Sequence, residues 1–333
     1  MASDTATTEK RRDITFDIMK GIGILLVITA HFFGWNHPLL DRGINSFHMP
    51  MFFCVAGYFS RSFSSWPDAR TIVAKSARRL LPAFVFTQVC IILWAVLMAL
   101  TKQESWGRVA LQTLSLLWAD PHGPHTPWGQ LYVGVIWFLL ALFVAKCLLL
   151  LLSRMKGWAI PVSIALAVVA LLLYRVFPYS IWCISVGLTG LPFLTLGWWA
   201  RTHKVPVWFI VICIICWVVA VLYSHLGMYD MEWSCYPLDF LGACGGTFCL
   251  YFVSKFLGKY LRFLPRALAV LGIWSLAIMC FHNLELDCHL GNHAMSLIPF
   301  TLPVWGKYVF RYLLTIALAA VAVHTPILKR LFV

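Results

Sequence analysis

Apolar residues fall in long blocks along the chain, and each block ends in a short polar or proline-containing break. The blocks predict helices near 18–36, 46–63, 80–100, 129–152, 158–177, 181–200, 205–225, 237–256, 268–284 and 305–328. Most approach the roughly 20 residues that an α-helix needs to cross a bilayer. The breaks carry turn punctuation, as in Trp66-Pro67-Asp68, the run from Asp120 to Pro127 with its His122 and His125, and Leu302-Pro303. The segment from Trp106 to Trp118 is too short to span, and its polar residues share one face, so a helix lying in the interface is expected there. The polar start from Met1 to Arg12 is not followed by a small-residue cleavage pattern, so the first helix is read as retained.

Composition turns these helices into a membrane bundle. Apolar residues make up 61% of the chain and charged residues 12%, where soluble domains carry about 45–50% and about 25%. With a mean hydropathy of +0.82 a soluble fold is excluded. The expected fold class is an all-α polytopic membrane protein of about ten transmembrane helices, with both termini cytoplasmic and the cell membrane as its location. Residues 1–16 form a cytoplasmic tail, and 17–333 form a single integral-membrane domain.

The net charge of +13 then acquires a side. Alternating ten spans from a cytoplasmic N-terminus puts eighteen basic residues inside, among them Lys75, Arg78, Arg79, Arg201 and Lys255, and six outside, including Arg42, Arg175 and Arg311. Dropping or adding one helix would scramble this split, which follows the positive-inside rule. Nine of the eleven histidines, and most acids, fall on or near the outer side. That suits a polar acceptor arriving from outside, although polar outer loops are the plainer reading for any single histidine. Nothing in this pattern points to nucleic acid.

Three ionisable residues share the first span: Asp17, Lys20 and His31. Such groups are costly in lipid and normally face a bundle interior or a water-filled path. Lys20 and His31 are eleven positions apart, which places them on one face with a rise of about 16 Å. Asp17 is too far from His31 to orient it and is assigned to Lys20 or to helix contacts; the bland alternative is that Asp17 and Lys20 snorkel and His31 ends the helix. Later segments of note are Phe47-His48-Met49-Pro50 through Phe59, the basic stretch Lys75-Ser76-Ala77-Arg78-Arg79, Trp137-Phe138-Leu139, and Leu271-Gly272-Ile273-Trp274-Ser275 through His282-Asn283.

On these residues the chain resembles the membrane acyltransferase-3 family, within it the fucose 4-O-acetylase-like branch. Lys20 and His31 match that family's basic residue, ten positions, and histidine, with Lys in place of the commoner Arg. Asp17 and Gly21 match their neighbours, Phe47 to Phe59 matches a phenylalanine-rich stretch with Ala56 in place of Ser, and Ser275 and His282 match a late pattern. Lys75-x-x-Arg78, with Arg79 adjacent, is the best match to the family's cytoplasmic basic pair.

The resemblance implies an O-acyltransferase that moves an acyl group, usually acetyl, from cytoplasmic acyl-coenzyme A to a hydroxyl of a glycan or glycolipid at the outer face. Lys75, Arg78 and Arg79 suit the phosphates of the donor, whose pantetheine arm would thread into the bundle past Lys20. His31 suits a general base for direct attack, or a covalent acyl carrier. His48 and His282 could orient the acceptor or His31, Trp137 and Ser275 could line the pathway, and Glu285 and Asp287 could hold sugar hydroxyls. No permanently bound cofactor and no metal are expected. The spacings of His122 with His125 and of His289 with His293 are weak metal signals, and Cys235 with Cys288, both read as outside, could form a disulfide. No phosphate-cradling glycine loop, dinucleotide fingerprint or serine elbow is present. The rival reading is a transporter or flippase for a small molecule or lipid-linked sugar, against which the Asp17-to-His31 pattern has no repeat in the second half.

Overall fold

The computed structural model describes residues 13–33, 37–121, 132–297 and 301–332. It opens with α1 (Thr15–Phe33), whose first turn is fixed by Asp13: the carboxylate accepts the Thr15 backbone N–H at 2.9 Å. Hydrogen bonds from the Thr15 hydroxyl and backbone hold the Asp13 carboxyl below the usual carboxylate range. Two short helices follow, α2 (Pro38–Asn45) and α3 (His48–Tyr58). The long α4 (Trp66–Leu100) starts where Ser65 accepts the Asp68 N–H and Pro67 sits in the first turn. Next come α5 (Trp106–Trp118), α6 (Trp137–Leu152), α7 (Ala159–Val176), α8 (Ile184–Ala200) and α9 (Val207–Tyr223). A hairpin of β1 (Leu226–Gly227) and β2 (Glu232–Trp233), antiparallel with Leu226 opposite Trp233, leads into α10 (Tyr236–Tyr260). The chain ends with α11 (Phe263–Ile273), α12 (Ser275–Cys288), α13 (Leu290–Ser296), α14 (Val304–His324) and α15 (Pro326–Phe332).

The fold is an all-α polytopic membrane bundle. Among the described residues seven helices are long and apolar enough to cross a bilayer, and α11 with α12, bent by 68° at Trp274, makes an eighth if the pair is one span. Two expected spans fall outside that set. The apolar helix α9 has 17 residues, and α3 has only 11, a length of about 17 Å against a hydrocarbon core of about 30 Å. Met49, Met51, Phe52, Phe53 and Val55 of α3 are all buried, as befits a helix that is apolar all round and enclosed by others. In the other direction, α4 exceeds its expected span: 35 residues reach about 52 Å, so the basic turns before Leu80 continue the helix beyond the apolar part. The 13-residue α5 exposes Trp106, Leu111, Leu114 and Leu117 and packs along α4.

Contacts between helix ends divide the bundle into two faces. At one, Phe16 of α1 packs on Tyr58 with centroids 4.5 Å apart and on Tyr251 of α10 at 6.0 Å, and Arg201 donates to the Ser60 carbonyl at 3.2 Å. At the other, Arg42 donates to the Leu222 carbonyl at 2.9 Å and Trp217 to the Ser46 hydroxyl at 2.9 Å. The end of α1 that carries His31 and the hairpin after α9 belong to this second face.

Glycines let the backbones meet. A Cβ on Gly21 would lie 1.9 Å from the Leu268 carbonyl oxygen, and one on Gly272 would lie 1.8 Å from that of Asp17, so α1 and α11 touch main chain to main chain. Gly57 and Gly197 form the same reciprocal contact between α3 and α8, each 1.9 Å from a carbonyl of the other helix. Small residues at such crossings replace hydrophobic exclusion as the source of helix association in lipid.

Gly272→Ala is expected to destabilise the bundle by about 1–3 kcal/mol, the usual cost of forcing atoms into a filled contact, whereas Gly43→Ala, where nothing lies within 4 Å, leaves stability unchanged or slightly raised. Unfolding midpoints of the purified variants in one detergent decide this; equal midpoints would remove the main-chain contact from the account.

Candidate active site

The two histidines singled out in α1 and α12 come together. Their ring centroids are 5.2 Å apart with the planes tilted by 50°, a separation at which ring rotation brings two nitrogens into hydrogen-bonding range. His31, in the last turn of α1, is open at its surface, while His282 is 0% exposed. Neither nitrogen of His282 has a hydrogen-bond partner among the described residues. Buried polar atoms are nearly always paired, so an imidazole with both positions free is a group held ready for something else.

His48 stands at the start of α3, buried and facing His31. Its Nδ1 lies 2.8 Å from the Ile44 carbonyl, which can only accept; Nδ1 therefore carries the proton and the neutral ring offers Nε2 as its acceptor.

Behind the pair stands a chain of contacts that the sequence did not signal as a unit. The Phe32 ring meets His282 edge to face at 5.5 Å, and the Arg311 guanidinium of α14 lies 4.6 Å over Phe32. Arg311 grips Glu285 with both arms, Nε to Oε1 at 2.6 Å and Nη2 to Oε2 at 3.0 Å, and Glu285 is fully buried. Gly291 leaves room for this pair, since a Cβ there would sit 2.6 Å from the Arg311 Cγ and 2.9 Å from Glu285 Oε1. Arg311, counted with the outer residues on sequence, is thus the half-buried partner of a buried carboxylate in the second turn of α14. An arginine inside an apolar run was the available signal, because such a charge survives in lipid only when paired. Beside His282, Asn283 donates to Asp287 at 2.9 Å while its carbonyl oxygen has no partner among the described residues. Gly134, at φ +65°, lies so close that a Cβ would be 2.2 Å from that oxygen.

The other sequence-predicted residues sit elsewhere. Lys20 pairs with Asp17 at 2.9 Å toward the opposite end of α1. Lys75, Arg78 and Arg79 are exposed on α4 and have no ion-pair partner among the described residues. The half-buried Lys146 of α6 faces Arg79. Trp137 is buried against Phe138, with centroids 6.1 Å apart. Ser275 begins α12 at the bend, two turns before His282. Glu285, expected to hold acceptor hydroxyls, has both oxygens engaged by Arg311.

Cys235 and Cys288 are both free, so the disulfide considered on sequence is not formed: Cys235 is exposed before α10, while Cys288 is buried in a cluster with Ile91 and Leu284. His122 and His125 lie outside the described residues, and His289 and His293 gather no third ligand among them. One group there, His225, Asp230 and Glu232 at the hairpin, brings three ligand atoms within 4.8 Å of one another. Burial raises the Asp230 carboxyl above the usual carboxylate range.

Similar proteins give the arrangement a context. The chain is 27% identical over 196 residues to nodulation protein NolL of Sinorhizobium fredii (strain NBRC 101917 / NGR234), covering 52% of this chain and 48% of that protein. It is 27% identical over 195 residues to nodulation protein NolL of Mesorhizobium japonicum, covering 52% and 47%. The match thus spans about half the length of these curated relatives. No solved structure matches. Residues 13–327, which take in α1 with its histidine, the basic turns of α4, and the His282 and Arg311 helices, match the Acyl_transf_3 family as an acyltransferase domain, and the chain belongs to that family.

Proposed function

We propose that the protein is an O-acyltransferase of the cell membrane that moves an acyl group, acetyl in the simplest case, from acyl-coenzyme A on the cytoplasmic side to a hydroxyl of a glycan or glycolipid on the other. The observation that carries this reading is the contact of His31 with an enclosed His282 whose two nitrogens are unpaired. The acceptor oxygen attacks the thioester carbonyl carbon; a C–O bond forms and the C–S bond breaks. His31 takes the hydroxyl proton and returns it to the departing thiolate, so atoms and charge balance. His282 orients His31 through its free nitrogens, and His48, with Nε2 as acceptor, is placed to receive a second hydroxyl.

The donor side follows from charge. Lys75, Arg78 and Arg79 are exposed and unpaired among the described residues, which suits the pyrophosphate and ribose phosphate of coenzyme A. Lys20 and its Asp17 partner mark the entrance along α1, about 16 Å short of His31, a span that the extended pantetheine arm must cover. Trp137 and Ser275 belong to the surrounding wall. The Glu285–Arg311 pair acts one step removed, holding Phe32 and through it the His282 ring.

Reconstituted vesicles given radiolabelled acetyl-coenzyme A test the reading, since a transferase releases coenzyme A when acceptor is present and a transporter does not. His31→Ala should lower transfer by about 10²–10⁴-fold, the usual contribution of a general base, and His282→Phe should lower kcat with little change in KM for the acyl donor. A folded His31→Ala protein with full activity would sink the proposal.

Arg78→Ala and Arg79→Ala are expected to raise KM for acyl-coenzyme A about 10–100-fold each, as the loss of a charged hydrogen bond of about 1.5–3 kcal/mol requires. An unchanged KM moves the donor site elsewhere.

For the ion pair, Glu285→Ala should destabilise by up to about 3 kcal/mol by leaving the half-buried Arg311 without its counter-charge, and Glu285→Leu with Arg311→Met should recover most of it. Unfolding midpoints that are equally low in the single and double variants would contradict the pairing.

A further inference from the structure

A second site on the His31 face has no part in the chemistry above. Between the C-terminal end of α7 and the hairpin lies a cavity of about 490 Å³, within the range of about 300–1,000 Å³ typical of small-molecule sites. Its wall combines Tyr174, Trp233 and Tyr236 with Arg175, His225 and Glu232.

That wall is built in advance. Asp239, in the first turn of α10, accepts the Ser224 hydroxyl at 2.5 Å with one oxygen and the Cys235 N–H at 2.9 Å with the other, tying both ends of the hairpin to the helix. The Ser234 hydroxyl accepts the His225 N–H at 3.1 Å. Trp233 and Tyr236 have centroids 5.0 Å apart, and both the Trp233 Nε1 and the Tyr236 hydroxyl are buried without a hydrogen-bond partner among the described residues. His225 Nε2 and Glu232 Oε2 are 3.8 Å apart at the rim.

The mixture selects the ligand. An anion would meet Glu232 and the neighbouring Asp230, a cation would meet Arg175, and an apolar ligand would leave these charges and the two aromatic polar atoms unsatisfied. A sugar answers all of them. Each hydroxyl both donates and accepts, so it can serve guanidinium, carboxylate, indole N–H and phenol together. The C–H faces of its ring cover aromatic surface. A metal ion is a poorer fit, because Asp230 already accepts the Glu232 N–H at 3.2 Å and the Arg175 guanidinium shares the wall.

We propose that this cavity is a carbohydrate-binding site where the sugar acceptor docks before transfer. Its role as an acceptor site rests on the acyltransfer reading; its capacity to bind a sugar does not. The cavity is joined to the centre of the bundle through Trp233, which stacks on Phe193 at 6.4 Å and 12°. One turn earlier, Gly190 is covered by the Phe53 ring of α3, the helix that also carries His48.

Saturation-transfer NMR on the full chain in nanodiscs tests the site with millimolar methyl glycosides of glucose, mannose, galactose, fucose and N-acetylglucosamine. At least one should receive saturation from the wild type and from His31→Ala, with the signal reduced at least fivefold in Glu232→Gln, Arg175→Gln and Trp233→Ala. The exposed Glu232 and Arg175 variants keep the test valid if Trp233→Ala fails to fold. A dodecyl glycoside that competes better than its methyl counterpart supports a lipid-linked acceptor, and equal competition supports a free glycan. Three results overturn the proposal: no glycoside receives saturation, the signal survives Glu232→Gln and Arg175→Gln, or it disappears on adding a chelator. Glycoside binding by a wild-type protein that transfers no acyl group would count against the acyltransfer reading alone.

Discussion

The bundle depends on the main-chain contact between α1 and α11. In lipid, helices gain little by hiding apolar side chains from one another, so close approach must come from surfaces with nothing in the way. Gly21 and Gly272 supply such a surface. His31 and His282 each follow a contact glycine by ten positions, 21 to 31 and 272 to 282, so equal lengths of chain lead from a shared point of contact to a shared point of chemistry. The bend at Trp274 lies between those points and sets the angle at which α12 arrives. Tyr312 of α14, donating to the Leu25 carbonyl at 3.1 Å, fixes the third helix of the group against the middle of α1.

The Glu285–Arg311 pair meets a different requirement. Isolated, either charge would be expensive away from water; held in two short parallel hydrogen bonds, they satisfy one another. A buried pair of this kind contributes less to net stability than to uniqueness, since few alternative packings of α12, α13 and α14 would satisfy both groups. Here that uniqueness is transmitted through Phe32 to the ring of His282.

The sequence foretold those features whose cause is local. Lys20 and His31 were legible because titratable groups in an apolar run need a reason, and helical spacing puts them on one face. The apolar half of α4 was legible as a span, but its first turns were not, because Ala, Arg and Lys continue a helix as readily as Leu does. Phe47 to Phe59 reads as one apolar block, and periodicity alone does not separate a short enclosed helix from a crossing one. The His31–His282 contact and the Glu285–Arg311 pair join distant parts of the chain, so only packing could reveal the partners. The hairpin, with strands of two residues each, carries no periodic signal, and its cavity could not be read from composition.

The length of α4 has a consequence for how the protein senses its surroundings. Its basic turns stand beyond the apolar part of the helix, where water and small ions reach them and mobile counter-ions are always near. Any anion that settles on Lys75, Arg78 and Arg79 must displace that ionic atmosphere, and over a Debye length of about 8 Å at physiological ionic strength the exchange is governed by salt as much as by the ligand. Occupancy at this end of the helix therefore tracks the ionic strength and anionic lipid content on that side of the membrane, whereas the buried His282 is screened from both.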